Sequence, residues 1–153
     1  MATVHFLDDF SVGQVFESGR AAVDSAQIRS FAAEFDPQPF HLDETAAAAS
    51  VFGGLVASGW HTAALTMRLL VESDLKVAGG LIGAGADELK WPNPVRPGDT
   101  LHVVSEVIEV RPSKSKPNQG IVKIRTRTLN QIDQPVMSFV AALVVPRRAD
   151  RSP

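Results

Sequence analysis

Two stretches in the first half of the chain carry apolar residues at helical spacing. In residues 25–35 the apolar positions repeat every three or four residues, at Ile28, Phe31, Ala32 and Phe35. Asp24 or Ser25 is suited to capping the start of this helix. Pro37 and Pro39 follow the helix. Because a proline favours an extended conformation in the residue before it, the helix is predicted to end there.

A second helix is predicted over about residues 58–71. Its polar residues lie on the same side of a helical wheel as Leu65 and Leu69; they are His61, Thr62, Thr66 and Arg68. A helix without a cleanly polar face is usually buried. We therefore expect this helix to lie inside the protein.

The second half of the chain has the patterns of β-strands. Strands are predicted over residues 101–110, 121–129 and 136–145, with two more over residues 80–91 and 15–23. Residues 121–129 alternate, with Val122, Ile124, Thr126 and Thr128 on one face and Lys123, Arg125 and Arg127 on the other. Residues 136–145 are almost continuously apolar, as expected for a central strand covered on both sides.

One buried helix followed by long antiparallel strands indicates an α+β protein in which the sheet wraps round a central helix. This architecture is the hot-dog fold. The length of 153 residues fits a single domain over residues 1–153, with its core at about residues 8–146.

Composition excludes several kinds of chemistry. The chain has no cysteine, so disulfides, thiolate metal sites and a cysteine nucleophile are ruled out. The formal net charge of −2 argues against a nucleic-acid-binding protein. Acidic residues interrupt any N-terminal signal sequence, and no apolar run has the roughly 18 residues that a membrane span needs. We expect a cytoplasmic protein that does not bind membranes.

The segment from Phe35 to Asp43 carries two groups that can move protons. Asp36 and His41 are five positions apart and are joined by a segment with two prolines, which can hold a carboxylate and an imidazole in a fixed relation. Adding water across a double bond conjugated to a carbonyl needs both a base and an acid, and each such group typically contributes about 10² to 10⁴ in rate. By itself, Asp36 before a proline could also be an ordinary turn residue.

A glycine-rich segment, Phe52 to Trp60, leads directly into the predicted second helix. A glycine at a helix start leaves its backbone N–H open to a ligand, and the helix dipole there favours negative charge. A glycine N–H of this segment, if directed at a thioester carbonyl, would stabilise the enolate that forms during hydration. The glycines of this segment could also simply permit a tight turn and close packing.

These two motifs are followed by Trp91-Pro92-Asn93-Pro94-Val95-Arg96-Pro97-Gly98-Asp99-Thr100-Leu101. Together the three motifs resemble the MaoC-like hydratases, which include the (R)-specific enoyl-CoA hydratases. The resemblance covers roughly residues 8–146. It implies a hydratase or dehydratase in which Asp36 and His41 act on one water in a syn addition and Gly59 supplies the oxyanion N–H.

The resemblance also implies the substrate and its surroundings. The substrate would be an acyl thioester of coenzyme A or acyl carrier protein, in fatty acid metabolism, with the acyl chain along the central helix. We assign substrate contacts to Phe40, Ser58 and Trp60, and the bulky Trp60 is expected to shorten the acyl tunnel. No metal or redox cofactor is expected, because the other histidines lack ligand spacing. A homodimer or higher homo-oligomer is expected, because a single such domain leaves sheet edges unpaired.

Some alternatives remain open. The chain could be a hot-dog acyl-CoA thioesterase, in which a carboxylate activates water against the carbonyl, or a non-catalytic acyl-thioester-binding protein. His61 is close enough in sequence to Asp36 and His41 to be considered for ligand contact. The basic face of Lys123, Arg125 and Arg127 is expected to be solvated. It, or Lys114 and Lys116, could instead meet the phosphates of coenzyme A.

Overall fold

The computed structural model describes residues 3–149, so residues 1–2 and 150–153 of the predicted domain lie outside the described range. Seven strands follow one another along the chain: β1 (Val4–His5), β2 (Val15–Ala22), β3 (Lys76–Val77), β4 (Gly83–Lys90), β5 (Thr100–Pro112), β6 (Gln119–Leu129) and β7 (Pro135–Pro146). The α-helices are α1 (Ser25–Phe35), α2 (Pro39–Leu42), α3 (Glu44–Ala48) and α4 (Gly59–Glu72).

Five of the strands form one antiparallel sheet in the order β2-β5-β6-β7-β4. These are the five strands predicted from the sequence, with ends shifted by a few residues. The strand predicted over residues 136–145 is an interior strand, as expected: β7 lies between β6 and the edge strand β4. After Pro135, every residue of β7 is buried or half-buried, so its two faces are covered in part rather than completely.

The alternation in β6 determines which face of the sheet carries the core. Val122, Ile124, Thr126 and Thr128 are buried on the inner face, as predicted. The hydroxyls of Thr66 on α4 and Thr128 lie 2.5 Å apart, which ties the helix to the sheet through a buried hydrogen bond. The sheet and the central helix together form the hot-dog fold.

The first predicted helix is found with its predicted cap. The Asp24 carboxylate accepts a hydrogen bond from the backbone N–H of Gln27 at 2.8 Å, and the side-chain oxygen of Gln27 accepts one from the backbone N–H of Asp24. Ile28 and Ala32 are buried completely. The helix ends at Phe35, before the two prolines. This places Asp36 at its C-terminal cap.

Helix α4 has one buried and one exposed side. Its buried residues are His61, Thr62, Thr66, Leu69 and Leu70. The opposite side exposes a stripe of large apolar residues at helical spacing: Trp60, Met67 and Val71. The expectation of a fully buried helix therefore holds for one side only. Within residues 3–149 no helix is long and apolar enough to cross a membrane.

The sequence did not predict the two short helices, α2 and α3. Pro39 is the first residue of α2, a position where the missing N–H of proline has no cost. The carboxylate of Asp43 then caps α3 by accepting from the backbone N–H of Ala46 at 3.0 Å. The prolines were predicted to end one helix, and Pro39 also begins the next.

Candidate active site

Three segments meet where α4 begins. Asp36 follows α1, His41 lies on α2, and the buried segment 55–58 leads into α4. The backbone N–H of Val56 donates to the carbonyl of Phe40 at 3.3 Å, and that of Ala57 donates to the carbonyl of Val95 at 2.9 Å. The segment is therefore held on both sides, and it fixes the position of α2.

His41 is buried and has a partner at each ring nitrogen. Its Nδ1 lies 2.7 Å from the carbonyl oxygen of Val56. Because a carbonyl oxygen only accepts hydrogen bonds, Nδ1 carries the hydrogen and Nε2 is the nitrogen that can exchange a proton. Nε2 lies 3.3 Å from Oδ2 of Asp36. The predicted carboxylate and imidazole are therefore in contact.

The Asp36 carboxylate is held by two further donors. The Ser58 hydroxyl donates to Oδ2 at 2.6 Å, and the Gln38 side-chain amide donates to Oδ1 at 2.6 Å. The Ser58 hydrogen bond is the main cause that lowers the pKa of Asp36 below its ordinary value, with smaller contributions from Gln38 and His41. Burial acts in the opposite direction but does not prevail. Asp36 is thus held as a carboxylate.

Ser58 has a different position from the one predicted. We expected it to contact substrate, but the structure buries it completely behind Asp36. Its hydroxyl oxygen also accepts from the backbone N–H of Trp60 at 3.2 Å, as the cap of α4. One side chain therefore both starts the helix and orients the carboxylate.

Gly59 is the first residue of α4, and Trp91 packs directly on it. A Cβ at Gly59 would lie 2.7 Å from a ring carbon of Trp91, so a larger residue would force the indole to move. The indole N–H of Trp91 donates to the Gly59 carbonyl at 2.9 Å. Trp60 crosses Trp91 edge to face, with ring centres 5.2 Å apart. At the start of a helix the N–H of Gly59 has no carbonyl one turn earlier in the helix.

These residues surround a cavity of about 490 Å³. Five of the six predicted site residues line it: Asp36, Phe40, His41, Gly59 and Trp60. The other walls come mainly from the segment after β4 and from Phe52 and Val136. A carboxylate, an imidazole and a helix start thus face one mainly apolar cavity.

Comparison with known proteins agrees with this geometry. The family model described as "MaoC like domain" matches residues 9–128. The chain belongs to this family. A MaoC-like dehydratase from Rhodospirillum rubrum has 57% sequence identity, with a TM-score of 0.92 over 95% of this chain and 99% of that one.

Two further relatives of the MaoC-like domain carry functional names. The (R)-hydratase PhaJ1 of Pseudomonas aeruginosa is 29% identical, with a TM-score of 0.74 over 97% of this chain and 94% of that one. The 3-hydroxybutyryl-CoA dehydratase of Methylorubrum extorquens is 29% identical over 98% of this chain and 90% of its own length. The family and its named relatives are thus hydratases and dehydratases.

Three features of this MaoC-like site were missed from the sequence. They are the hydrogen bonds that Gln38 and Ser58 make to Asp36 and the packing of Trp91 on Gly59. A signal for Gln38 existed, because it lies between the two predicted catalytic residues. Trp91 gave no comparable signal, since it is 32 positions from Gly59.

His61 does not line the cavity. Its ring stacks on Phe31 with centroids 4.8 Å apart, and its buried Nδ1 has no hydrogen-bond partner among the described residues. Burial lowers the pKa of His61 below its ordinary value. Within residues 3–149 no three acidic or histidine side chains are grouped so that they could hold a metal ion.

Proposed function

We propose that this MaoC-like domain is an (R)-specific enoyl-CoA hydratase, working in reverse as a 3-hydroxyacyl-thioester dehydratase in the cytoplasm. The observation that carries the proposal is the contact of 3.3 Å between Asp36 Oδ2 and His41 Nε2 on the wall of the cavity. Its relatives support the reaction class, since one is named an (R)-hydratase and another a 3-hydroxybutyryl-CoA dehydratase.

The two groups divide the proton transfers between them. Asp36, whose pKa is lowered, is the base that takes a proton from water as the oxygen bonds to the β-carbon. His41 in its protonated form gives the Nε2 proton to the α-carbon. The proton then passes from Asp36 to His41 across their contact, which restores the starting state. Because both groups lie on one side of the substrate, the addition is syn.

Gly59 stabilises the charge that develops on the thioester oxygen. Gly59 is the first residue of the 14-residue helix α4, at its positive end, and it lines the same cavity as Asp36 and His41. In other enzymes, removing one hydrogen-bond donor to the oxyanion raises the activation free energy by about 2.7–4 kcal/mol. Trp91 packs on Gly59 and donates to its carbonyl, which holds the start of the helix in place.

The test is incubation with trans-2-enoyl-CoA esters of increasing chain length. We expect loss of the conjugated double bond and formation of the (R)-3-hydroxyacyl-CoA, measured by absorbance and chiral chromatography. Release of free coenzyme A without hydration would instead identify a thioesterase. Binding without turnover of any ester would identify a non-catalytic thioester-binding protein.

We further propose that Trp60 limits the length of the acyl chain. Its indole lines the cavity and is braced by Trp91, so it occupies space beside the reacting thioester. Trp60→Ala should shift the preference toward longer chains. An unchanged chain-length profile would restrict Trp60 to a packing role.

Finally, we propose a homodimer or higher homo-oligomer. The apolar stripe of Trp60, Met67 and Val71 is exposed on α4, and all eight residues of the edge strand β4 are exposed. An open strand edge beside an apolar helix face is suited to a two-fold contact. Sedimentation measured together with activity is the test. A monomer that is fully active at nanomolar concentration would contradict the proposal.

A further inference from the structure

A basic patch lies on the outer face of the sheet, the face away from α4. We define it by Lys90 on β4, Ser138 on β7, and Arg125 and Arg127 on β6. Ser138 is the register partner of Lys90 on one side and of Arg127 on the other. Neighbouring strands are about 4.8 Å apart. The two long cationic side chains therefore flank the Ser138 hydroxyl.

The cations of this patch are not neutralised by ion pairs. Within residues 3–149 Lys90, Arg125 and Arg127 make no salt bridge. Lys123, on the same face of β6, differs because it pairs with Glu109 at 3.7 Å. A groove of about 290 Å³ runs over the patch, and Glu88 is its only carboxylate among the described residues. Free cations are concentrated here in a chain whose net charge is −2.

The patch is connected to the catalytic cavity. A second groove, of about 460 Å³, includes Lys90, Arg127 and Ser138 and extends to Pro92. Pro92 also lines the catalytic cavity. Pro92, in the segment after β4, therefore borders both the cavity that holds Asp36 and His41 and the groove that reaches the basic patch.

We propose that the basic patch binds the phosphates of the coenzyme A thioester whose acyl end enters the cavity. The inference rests on the proposed function, since it takes an acyl thioester to occupy that cavity. The coenzyme A part of the thioester carries a diphosphate and a 3′-phosphate. The guanidinium group of arginine can bind two phosphate oxygens through two N–H groups at once, and lysine and serine each add a further donor.

Calorimetry with coenzyme A and with adenosine 3′,5′-bisphosphate tests the patch without any turnover. Arg127→Gln and Arg125→Gln should each weaken binding of both probes by about tenfold, because each removes a charged hydrogen bond. The effect should shrink at high salt. Lys123→Gln removes the same charge from the same strand face and should leave both affinities unchanged. Unchanged affinity in the arginine variants, or an equal loss in Lys123→Gln, would overturn the proposal.

Kinetics separates the patch from the chemistry. With trans-2-enoyl-CoA the arginine variants should raise KM and keep kcat. With the matching N-acetylcysteamine thioester, which has no phosphate, neither constant should change. If no form of the protein hydrates either ester, the proposed function fails, while calorimetry still decides the patch. If the arginine variants hydrate trans-2-enoyl-CoA with an unchanged KM, the proposal for the patch is refuted and the proposed function stands. The same holds if the variants lose activity only with acyl carrier protein thioesters.

Discussion

Two histidines, 20 positions apart, are buried to nearly the same extent but differ in their partners. His41 is 6% exposed and His61 is 7% exposed. His41 donates through Nδ1 to the Val56 carbonyl and faces Asp36 through Nε2. His61 stacks on Phe31, and its Nδ1 has no partner among the described residues.

The difference shows that burial alone does not identify a catalytic histidine. A buried ring with no polar partner is kept neutral, which agrees with the lowered pKa of His61. A buried ring with a carbonyl on one nitrogen and a carboxylate on the other can hold a proton and return it. The contacts of each ring therefore predict opposite consequences of substitution.

The largest expected effect is on turnover. His41→Ala and Asp36→Asn should each lower kcat by about 10² to 10⁴, since each removes one proton-transfer group. His61→Ala creates a similar cavity at an equally buried position, so it is a matched control that should keep kcat. Steady-state hydration kinetics and thermal melting of the three variants give the comparison. If His61→Ala folds normally but loses turnover, the contrast between a catalytic His41 and a structural His61 is contradicted.

A smaller effect is expected from the partner of Asp36. Ser58→Ala removes the hydrogen bond that contributes most to lowering the pKa of Asp36. The pKa of Asp36 should rise, so the acidic limb of the kcat/KM profile should move to higher pH. Because hydrogen bonds to charged groups contribute about 1.5–3 kcal/mol, kcat should fall by about tenfold or more.

The control for Ser58→Ala must reproduce the loss of a helix cap. Asp24→Ala removes the cap of α1, which is worth about 0.5–2 kcal/mol, and does not touch the cavity. It should lower the melting temperature and leave the pH profile in place. If both variants lower the melting temperature and neither moves the acidic limb of the kcat/KM profile, Ser58 acts only as a helix cap.

The sequence predicted the elements better than the contacts between them. The periodicity in α1 and the alternation in β6 are local, so both could be read from neighbouring residues. The apolar run of β7 predicted an interior strand, but it could not predict which strands pair with it, because β4 is distant in the sequence. It also could not predict that several of its residues stay half-buried, because that depends on which segments pack over each face.

The same limit applies to the site. Asp36 and His41 share one short segment, so their proximity could be predicted. The contact between Ser58 and Asp36 spans 22 positions and depends on how the segment 55–58 packs against α2. Thr66, further along α4, does not contribute to this support, because its hydroxyl bonds to Thr128 on the sheet.

The smallest expected effect concerns stability and its dependence on pH. His61→Phe keeps an aromatic ring against Phe31 and removes the unpartnered nitrogen, so stability at neutral pH should be unchanged or raised by about 1 kcal/mol. Turnover should be retained, because His61 does not line the cavity.

The pH dependence separates His61 from the other groups. Its pKa is lowered in the folded state, so between that value and the ordinary 6.5 the unfolded chain binds more protons, and stability falls as the pH falls. His61→Phe lacks this loss. The difference in unfolding free energy between variant and wild type should therefore grow below about pH 6.5 and stay constant above it. Urea unfolding at pH 8 and pH 5 measures it, since titrations common to both proteins cancel in the difference. A difference that is the same at both pH values would mean that His61 titrates as freely in the folded protein as in the unfolded chain.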